Sequence, residues 1–227
     1  MDHTPSHTHE VPSSHLAAAW ISDLRDRNCD IVTFRRRARQ LTRLLAHRAA
    51  EELSWEPVEV TTPTGECTTG WGPAGPAPVV VPPLRAGLAM LDGVLDVYEH
   101  ARVAPVGLAR DERTLEPHWY LALTGHLQRA PALVCDPMLA TGGTVTAVGD
   151  HLVDHGAGRI VILALIAAPA ALELLASHRP TWSVHVAAVD RTLDERGFIL
   201  PGLGDAGDRW CTTGSAPAPD EGQPHPR

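Results

Sequence analysis

Apolar residues recur at Ala38, Leu41, Leu45, Ala49 and Leu53, with Arg39, Arg43 and Arg48 set between them. The spacing is close to 3.6 residues and predicts a helix over residues 33–53. Beyond residue 78 the pattern changes to short, unbroken apolar runs of strand length at 79–81, 103–108, 132–135, 160–167 and 184–189. Helical patterns at 86–100, 143–155 and 170–178 separate several of these runs. A strand that is apolar at every position has no side left for solvent, so such strands belong in a parallel sheet covered on both faces by helices. The expected fold class is α/β, with a single domain over residues 15–214. Segments 1–14 and 215–227 read as disordered N- and C-terminal tails, the latter rich in Pro and polar residues. Gly, Pro and Thr crowd residues 61–78, which read as a loop or loose hairpin.

Composition narrows the chemistry. The 227-residue chain is 44% apolar, enough for one domain with a sizeable core. Its formal charge of −8 argues against nucleic acid, which calls for a basic face. All 19 basic residues are Arg; without a Lys, neither Schiff-base chemistry nor a Walker lysine is available. Cys29, Cys67, Cys135 and Cys211 contain no Cys-x-x-Cys pair and read as free thiols of a reducing cytosol. The opening MDHTPSHTHE has no apolar core of a signal peptide, and its His3, His7 and His9 read as tail residues rather than ligands. The longest apolar run, 160–171, is too short to span a bilayer.

The strongest chemistry lies in residues 132–144, ALVCDPMLATGGT. A buried strand ends at Asp136, and Thr141-Gly142-Gly143-Thr144 then opens a helix. Glycines let peptide N–H groups converge on an oxyanion, and a helix N-terminus adds partial positive charge. The threonine hydroxyls can donate as well, so this is a phosphate cradle that needs no lysine. Asp136 is placed to accept from ribose hydroxyls. A plain strand-to-helix turn with Thr as N-cap is the competing reading.

These residues resemble the signature of type I phosphoribosyltransferases. The variant Asp136-Pro137-Met138-Leu139-Ala140-Thr141-Gly142-Gly143 is similar to the uracil-specific branch, where proline replaces a second acidic residue. Two more segments carry the same resemblance. Val81-Pro-Pro-Leu-Arg-Ala-Gly87 is similar to the family's diphosphate loop, which implies that Arg85 contacts the substrate diphosphate. Gly107-Leu-Ala-Arg-Asp-Glu112, followed by Thr114-Leu-Glu-Pro117, is similar to the next family block and the start of a flexible β-arm, which implies Arg110 as the second contact. A planar guanidinium suits phosphate oxygens bidentately. Ala109 stands where the family usually has an aromatic residue, and Pro117-His-Trp-Tyr-Leu-Ala departs from the common arm pattern.

Gly197-Phe-Ile-Leu-Pro-Gly-Leu-Gly-Asp-Ala-Gly-Asp-Arg209 is the most specific stretch. Its Gly202-x-Gly204-x-x-Gly207 formally matches a dinucleotide fingerprint. That motif must open a βαβ unit, and only 20 residues of the 227 follow Gly207, so a dinucleotide is rejected. The stretch instead resembles the uracil-binding loop of uracil phosphoribosyltransferases. The resemblance implies that Ile199 and the backbone of Gly204, Asp205 and Ala206 hold the base, with Asp205 also facing the sugar diphosphate.

The resemblance covers roughly residues 24–213. It implies a type I phosphoribosyltransferase-like fold, a mostly parallel central sheet flanked by helices. It also implies formation of UMP and diphosphate from uracil and phosphoribosyl pyrophosphate. Asp136, Arg85 and Arg110 are then the catalytic residues. Phosphoribosyl pyrophosphate falls to these three with Pro137, Met138, Leu139, Ala140, Thr141, Gly142, Gly143, Thr144 and Asp205. Mg²⁺ is expected on the substrate diphosphate, with no direct protein ligand. A cytoplasmic homo-oligomer, dimer or higher, is expected, with GTP a potential effector as in some relatives. Two other readings stay open at this point. One is transfer to a modified pyrimidine-like base; the other is a non-catalytic regulator that binds uridine nucleotides.

Overall fold

The computed structural model describes residues 8–10, 14–110 and 117–211. The chain starts with β1 (Thr8–Glu10), α1 (His15–Arg25) and α2 (Ile31–Ala50), then the hairpin β2 (Trp55–Thr61) and β3 (Cys67–Pro73). Next come β4 (Val79–Val81), β5 (Pro83–Leu84), α3 (Leu88–Leu95), β6 (Arg102–Val103), β7 (Val106–Arg110) and β8 (Pro117–Ala122). The second half runs β9 (Pro131–Cys135), β10 (Met138–Leu139), α4 (Gly143–Asp154), β11 (Arg159–Ala167), α5 (Pro169–His178), β12 (Ser183–Val189), β13 (Thr192–Leu193), β14 (Ile199–Leu200) and α6 (Ala206–Cys211).

The central sheet has the order β1-β12-β11-β9-β4-β6, with β10 added onto β11. Every pairing in it is parallel. Its strands are apolar throughout because both faces are covered. Leu133, Cys135, Val161, Leu163 and Leu165 point into one core, packed with Phe34, Leu41 and Leu45 of α2. Ala132, Val134, Ile160, Ile162 and Ala164 point into the other, with Val145, Val148 and Leu152 of α4. The alternation within each run is the two-residue period of a strand.

Helix α2 starts where Asp30 accepts from the Thr33 N–H and hydroxyl, both at 2.9 Å. Such a cap satisfies amides that the first turn leaves unbonded. The helix ends at Ala50 rather than 53. The run 103–108 is not one strand. Pro105 separates β6, which joins the central sheet, from β7, which joins a three-stranded sheet of order β5-β7-β8. Residues 61–78 contribute to a regular antiparallel hairpin that reaches back to Trp55, paired from Trp55↔Pro73 to Thr61↔Cys67. In the segment expected as an N-terminal tail, Thr8–Glu10 instead pairs with β12, and Ser14 caps α1. The rest of that segment, and the whole expected tail at 215–227, lie outside the described residues. Among the described residues no helix is long and apolar enough to cross a membrane.

Helices α2 and α3 cross at Gly93, where an added Cβ would sit 2.6 Å from both the Arg39 carbonyl oxygen and the Thr42 Cβ. Backbone cannot move aside cheaply in a packed core. Gly93→Ala should therefore lower stability by about 1–3 kcal/mol, read as a fall in the urea midpoint with unchanged slope.

Candidate active site

Strand β4 lies between β6 and β9, so the winding of the chain reverses there. Loops leaving the carboxyl ends of strands at such a point diverge and leave a crevice. The loop after β4 is the sequence-predicted diphosphate loop, and the loop after β9 carries Asp136. An added Cβ on Gly87 would lie 2.7 Å from the Cys135 carbonyl oxygen, the last peptide of β9. An added Cβ on Gly207 would lie 3.6 Å from the Ala86 N. Three segments far apart in sequence (83–87, 135–144 and 204–208) therefore meet at one edge of the sheet.

Asp136 is held by its own N–H, which donates to Leu163 O at 3.1 Å, and its carboxylate accepts from the Met138 N–H at 3.3 Å. Burial pushes the carboxyl up to about 6, against the opposing pull of the Met138 amide. The rest of the predicted cradle divides in two. Pro137 to Leu139 are sewn to β11: Ile166 N–H donates to Pro137 O at 3.1 Å and Ala168 N–H to Leu139 O at 2.9 Å. Ala140 follows at the turn, its N–H bonded to Met138 O at 3.0 Å. Thr141 and Gly143 are exposed and Thr144 is half-buried at the start of α4. Gly142 has φ +81°, and its missing side chain faces Leu174 and Ala171 of α5 rather than the crevice. That glycine serves helix packing as well as the turn.

Arg85 is exposed at the crevice, its guanidinium 3.1 Å from the Asp208 carboxylate. Arg110 ends β7 opposite Pro117 of β8, and its side chain is not among the described atoms. The arm is anchored at its root: Trp119 stacks on His151 of α4, with ring centroids 4.6 Å apart, and His151 bonds the Thr124 hydroxyl at 3.0 Å.

In the base loop, Ile199 pairs with Leu193, and its side chain is buried in the core, so only its backbone is left to meet a ligand. Gly204 and Asp205 are exposed, and Gly204 has φ +76°. The Asp205 carboxylate accepts from the Asp208 N–H at 2.8 Å and so caps α6. Ala206 is fully buried as the first residue of that helix.

Three residues that sequence reasoning passed over hold this loop. Arg25 grips buried Asp190 through both of its terminal nitrogens, at 2.9 and 2.5 Å, and also donates to Gly202 O at 2.9 Å. Asp190 accepts the Gly202 N–H at 2.9 Å. Arg209 donates to Leu203 O at 2.6 Å, to Asp26 O at 2.9 Å and to Leu24 O.

A cavity of about 500 Å³ opens at the other end of the sheet, bordered by Trp55, Tyr98, Arg129 and Arg159. No sequence-predicted site residue lines it, and β9 and β11 begin there. The acid, the glycines and Arg85, which suit a sugar phosphate, lie at the carboxyl edge, so the candidate site is assigned there. Among the described residues, no group of three or more His, Cys, Asp or Glu side chains could hold a metal ion.

The family model described as "Uracil phosphoribosyltransferase" matches residues 11–213. The chain is 46% identical over 198 residues to a protein of that name from Kineococcus radiotolerans, spanning 86% of this chain and 93% of the relative. It is 39% identical over 194 residues to another from Ligilactobacillus salivarius, spanning 85% and 92%. Its fold is similar to the solved structure of the AQ2163 protein from Aquifex aeolicus, with TM-score 0.84 and 31% identity over 91% of this chain and 99% of that one.

The raised Asp136 pKa has a consequence for stability. An Asp whose folded value lies near 6, above the ordinary 3.8, binds its proton more tightly when folded. Its contribution is full below about 3.8 and is lost as pH rises through about 6. At pH 7.5 the folded protein therefore carries a poorly solvated charge. Asp136→Asn should raise stability at pH 7.5 by on the order of 1–2 kcal/mol, and the gain should vanish at pH 4. Thermal melts of both proteins at the two pH values check this.

Proposed function

The chain belongs to the uracil phosphoribosyltransferase family, and we propose from that premise how its crevice makes UMP from uracil and phosphoribosyl pyrophosphate. What supports the assignment of roles is the meeting of three loops at the carboxyl edge of β4, β9 and β12. Each supplies one part of what the reaction requires.

The reaction displaces diphosphate from the anomeric carbon of the sugar by uracil N1, through a transition state with oxocarbenium character. The N1–C1 bond forms, the bond from C1 to the diphosphate oxygen breaks, the electron pair of that bond leaves with diphosphate, and the N1 proton is released to solvent. In this reading the turn Ala140–Thr144 and the first amides of α4 take the 5-phosphate, where aligned peptide dipoles favour an anion. Asp136 accepts from the ribose hydroxyls. Its partial burial fits that role: a hydrogen-bond donor reaching the carboxylate supplies the solvation that burial removes. Arg85, with Arg110 from the arm, meets the departing diphosphate, whose charge grows as the bond breaks. Mg²⁺ bound to that diphosphate would neutralise part of its charge. Mg²⁺, a homo-oligomer, a GTP effector and a cytoplasmic location are supported by family resemblance alone.

The base falls to the peptide groups of Gly204 to Ala206 and the backbone of Ile199. Uracil offers two carbonyl acceptors and an N–H donor, which are the complement of exposed peptide groups. The direct test is formation of UMP from uracil and phosphoribosyl pyrophosphate with Mg²⁺; a purified, folded protein that makes none would overturn the reading.

Two variants probe the assignments. Arg85 and Asp208 are both well exposed, so losing their pair costs the fold little. Arg85→Ala should lower kcat/KM for phosphoribosyl pyrophosphate by about ten- to a hundredfold, the value of a charged hydrogen bond. Ala206 stands at the first position of α6, where proline fits the backbone and no intrahelical bond uses the N–H. Ala206→Pro should therefore fold and bind phosphoribosyl pyrophosphate, yet lose uracil use. Cytosine, which reverses the donor and acceptor at positions 3 and 4, should react on the order of ten-thousandfold more slowly than uracil in the unmodified protein. Steady-state kinetics with each base measures both effects.

A further inference from the structure

We propose that the ion pair between Arg25 and Asp190 is a positioning device for base recognition, which sets affinity for the pyrimidine and leaves the sugar-phosphate site alone. The inference rests on the uracil reading above and adds two residues to it. Neither lies in a segment that carries the phosphate or diphosphate groups, and Asp205, the residue of the held loop expected to face the diphosphate, has its carboxylate fixed separately by the Asp208 N–H at 2.8 Å.

Asp190 follows the last residue of β12, and its N–H donates to Ala167 O at the end of β11, at 2.8 Å. Its side chain is 3% exposed. The carboxylate is therefore fixed to the sheet. One of its oxygens accepts both an Arg25 Nη1–H and the Gly202 N–H, each at 2.9 Å. The other accepts from Arg25 Nη2 at 2.5 Å. Arg25 Nη1 then donates to the carbonyl of that same Gly202, at 2.9 Å. One peptide unit away from the base readers, both backbone polar groups of a single residue are held by the two members of one ion pair.

Holding the N–H and the C=O together fixes where Gly202 sits and which way its backbone faces. The residue has φ +68°, and an added Cβ would lie 2.1 Å from Ile199 O, so the chain doubles back tightly on itself there. Arg209 closes the next residue: it joins Leu203 O to the Leu24 and Asp26 carbonyls at the end of α1. The loop thus enters Gly204 with its direction already set. A misplacement of about 1 Å at a reacting centre can cost about a hundredfold in rate, and a loop that reads with peptide groups has no side-chain freedom to correct it.

Among the described residues, the side-chain bonds of Arg25 and Asp190 go only to each other and to Gly202. That confinement separates this role from general stabilisation. A merely structural tie would affect both substrates alike, whereas this one should move the constant for uracil alone. Lysine at position 25 keeps the charge but, as a single point donor, cannot reproduce the fork that spans Asp190 and Gly202.

The test compares wild type, Arg25→Lys and Asp190→Asn in the same UMP-forming assay, with phosphoribosyl pyrophosphate binding followed separately by calorimetry. Both variants should raise the KM for uracil at least tenfold and change phosphoribosyl pyrophosphate affinity less than twofold. Arg25→Ala should regain part of its uracil affinity when methylguanidine is added. An active wild type whose uracil KM is unmoved in both variants, or moves in step with phosphoribosyl pyrophosphate affinity, would overturn this inference alone. A folded wild type that forms no UMP would overturn the assigned activity and this inference with it.

Discussion

Parallel strands cannot be joined by a tight turn; each return must cross a face of the sheet before the next strand begins. Every pairing of the central sheet here is parallel. The chain consequently leaves β4, β9, β11 and β12 at one edge, and all the loops that matter are delivered there. The helices that make the returns also seal both faces, which is why Leu133 and Val134 are equally buried although they point opposite ways. Site and core are two results of the same connectivity rule.

In the proposed reading most of the chemistry at that edge falls to backbone. Peptide N–H groups at the start of α4 would meet an oxyanion, and peptide groups before α6 the base. Backbone recognition needs close approach, and glycine supplies it at Gly204 and at the buried Gly87. It also needs rigidity, since glycine is the most freely rotating residue. The arginines at positions 25 and 209 answer that need, each fastening carbonyl oxygens that the loop could not otherwise satisfy. Arginine forms such multiple contacts better than lysine would, and a chain with 19 Arg and no Lys has the means to use it throughout.

The parts of the fold that were legible in the sequence were those with a local period. The strands near 132–135, 160–167 and 184–189 and the helices α2, α4 and α5 are within a few residues of where the pattern put them, because burial on one or both faces leaves a local trace. The division of 103–108 was written in Pro105 but was masked by the apolar residues on either side. Helix α1 carries the repeat Ala17, Ile21 and Leu24, but it lies at the very start of the expected domain and no element was expected there. Strand β2 has no buried position, so no hydrophobic pattern could mark it. At the site, the acid and the glycines stood out through their order within one short stretch. Arg25 and Asp190 could not, since 165 positions separate them and each alone reads as an ordinary surface charge. The second role of Gly142, clearance for α5, likewise depends on a helix that begins 27 residues later.

That same separation has a bearing on how the protein is made. A ribosome adds roughly 5–20 residues per second, so Arg25 waits on the order of ten to thirty seconds for its carboxylate partner to be synthesised. Until then α1 can pack on α2, to which Asp23 is tied through Arg37 at 2.6 Å, but it lacks its link to the base loop. The phosphate turn and its strands can assemble earlier, from segments that neighbour one another. The segments proposed to hold the anion are thus synthesised before those proposed to hold the base, an ordering set by the direction of translation.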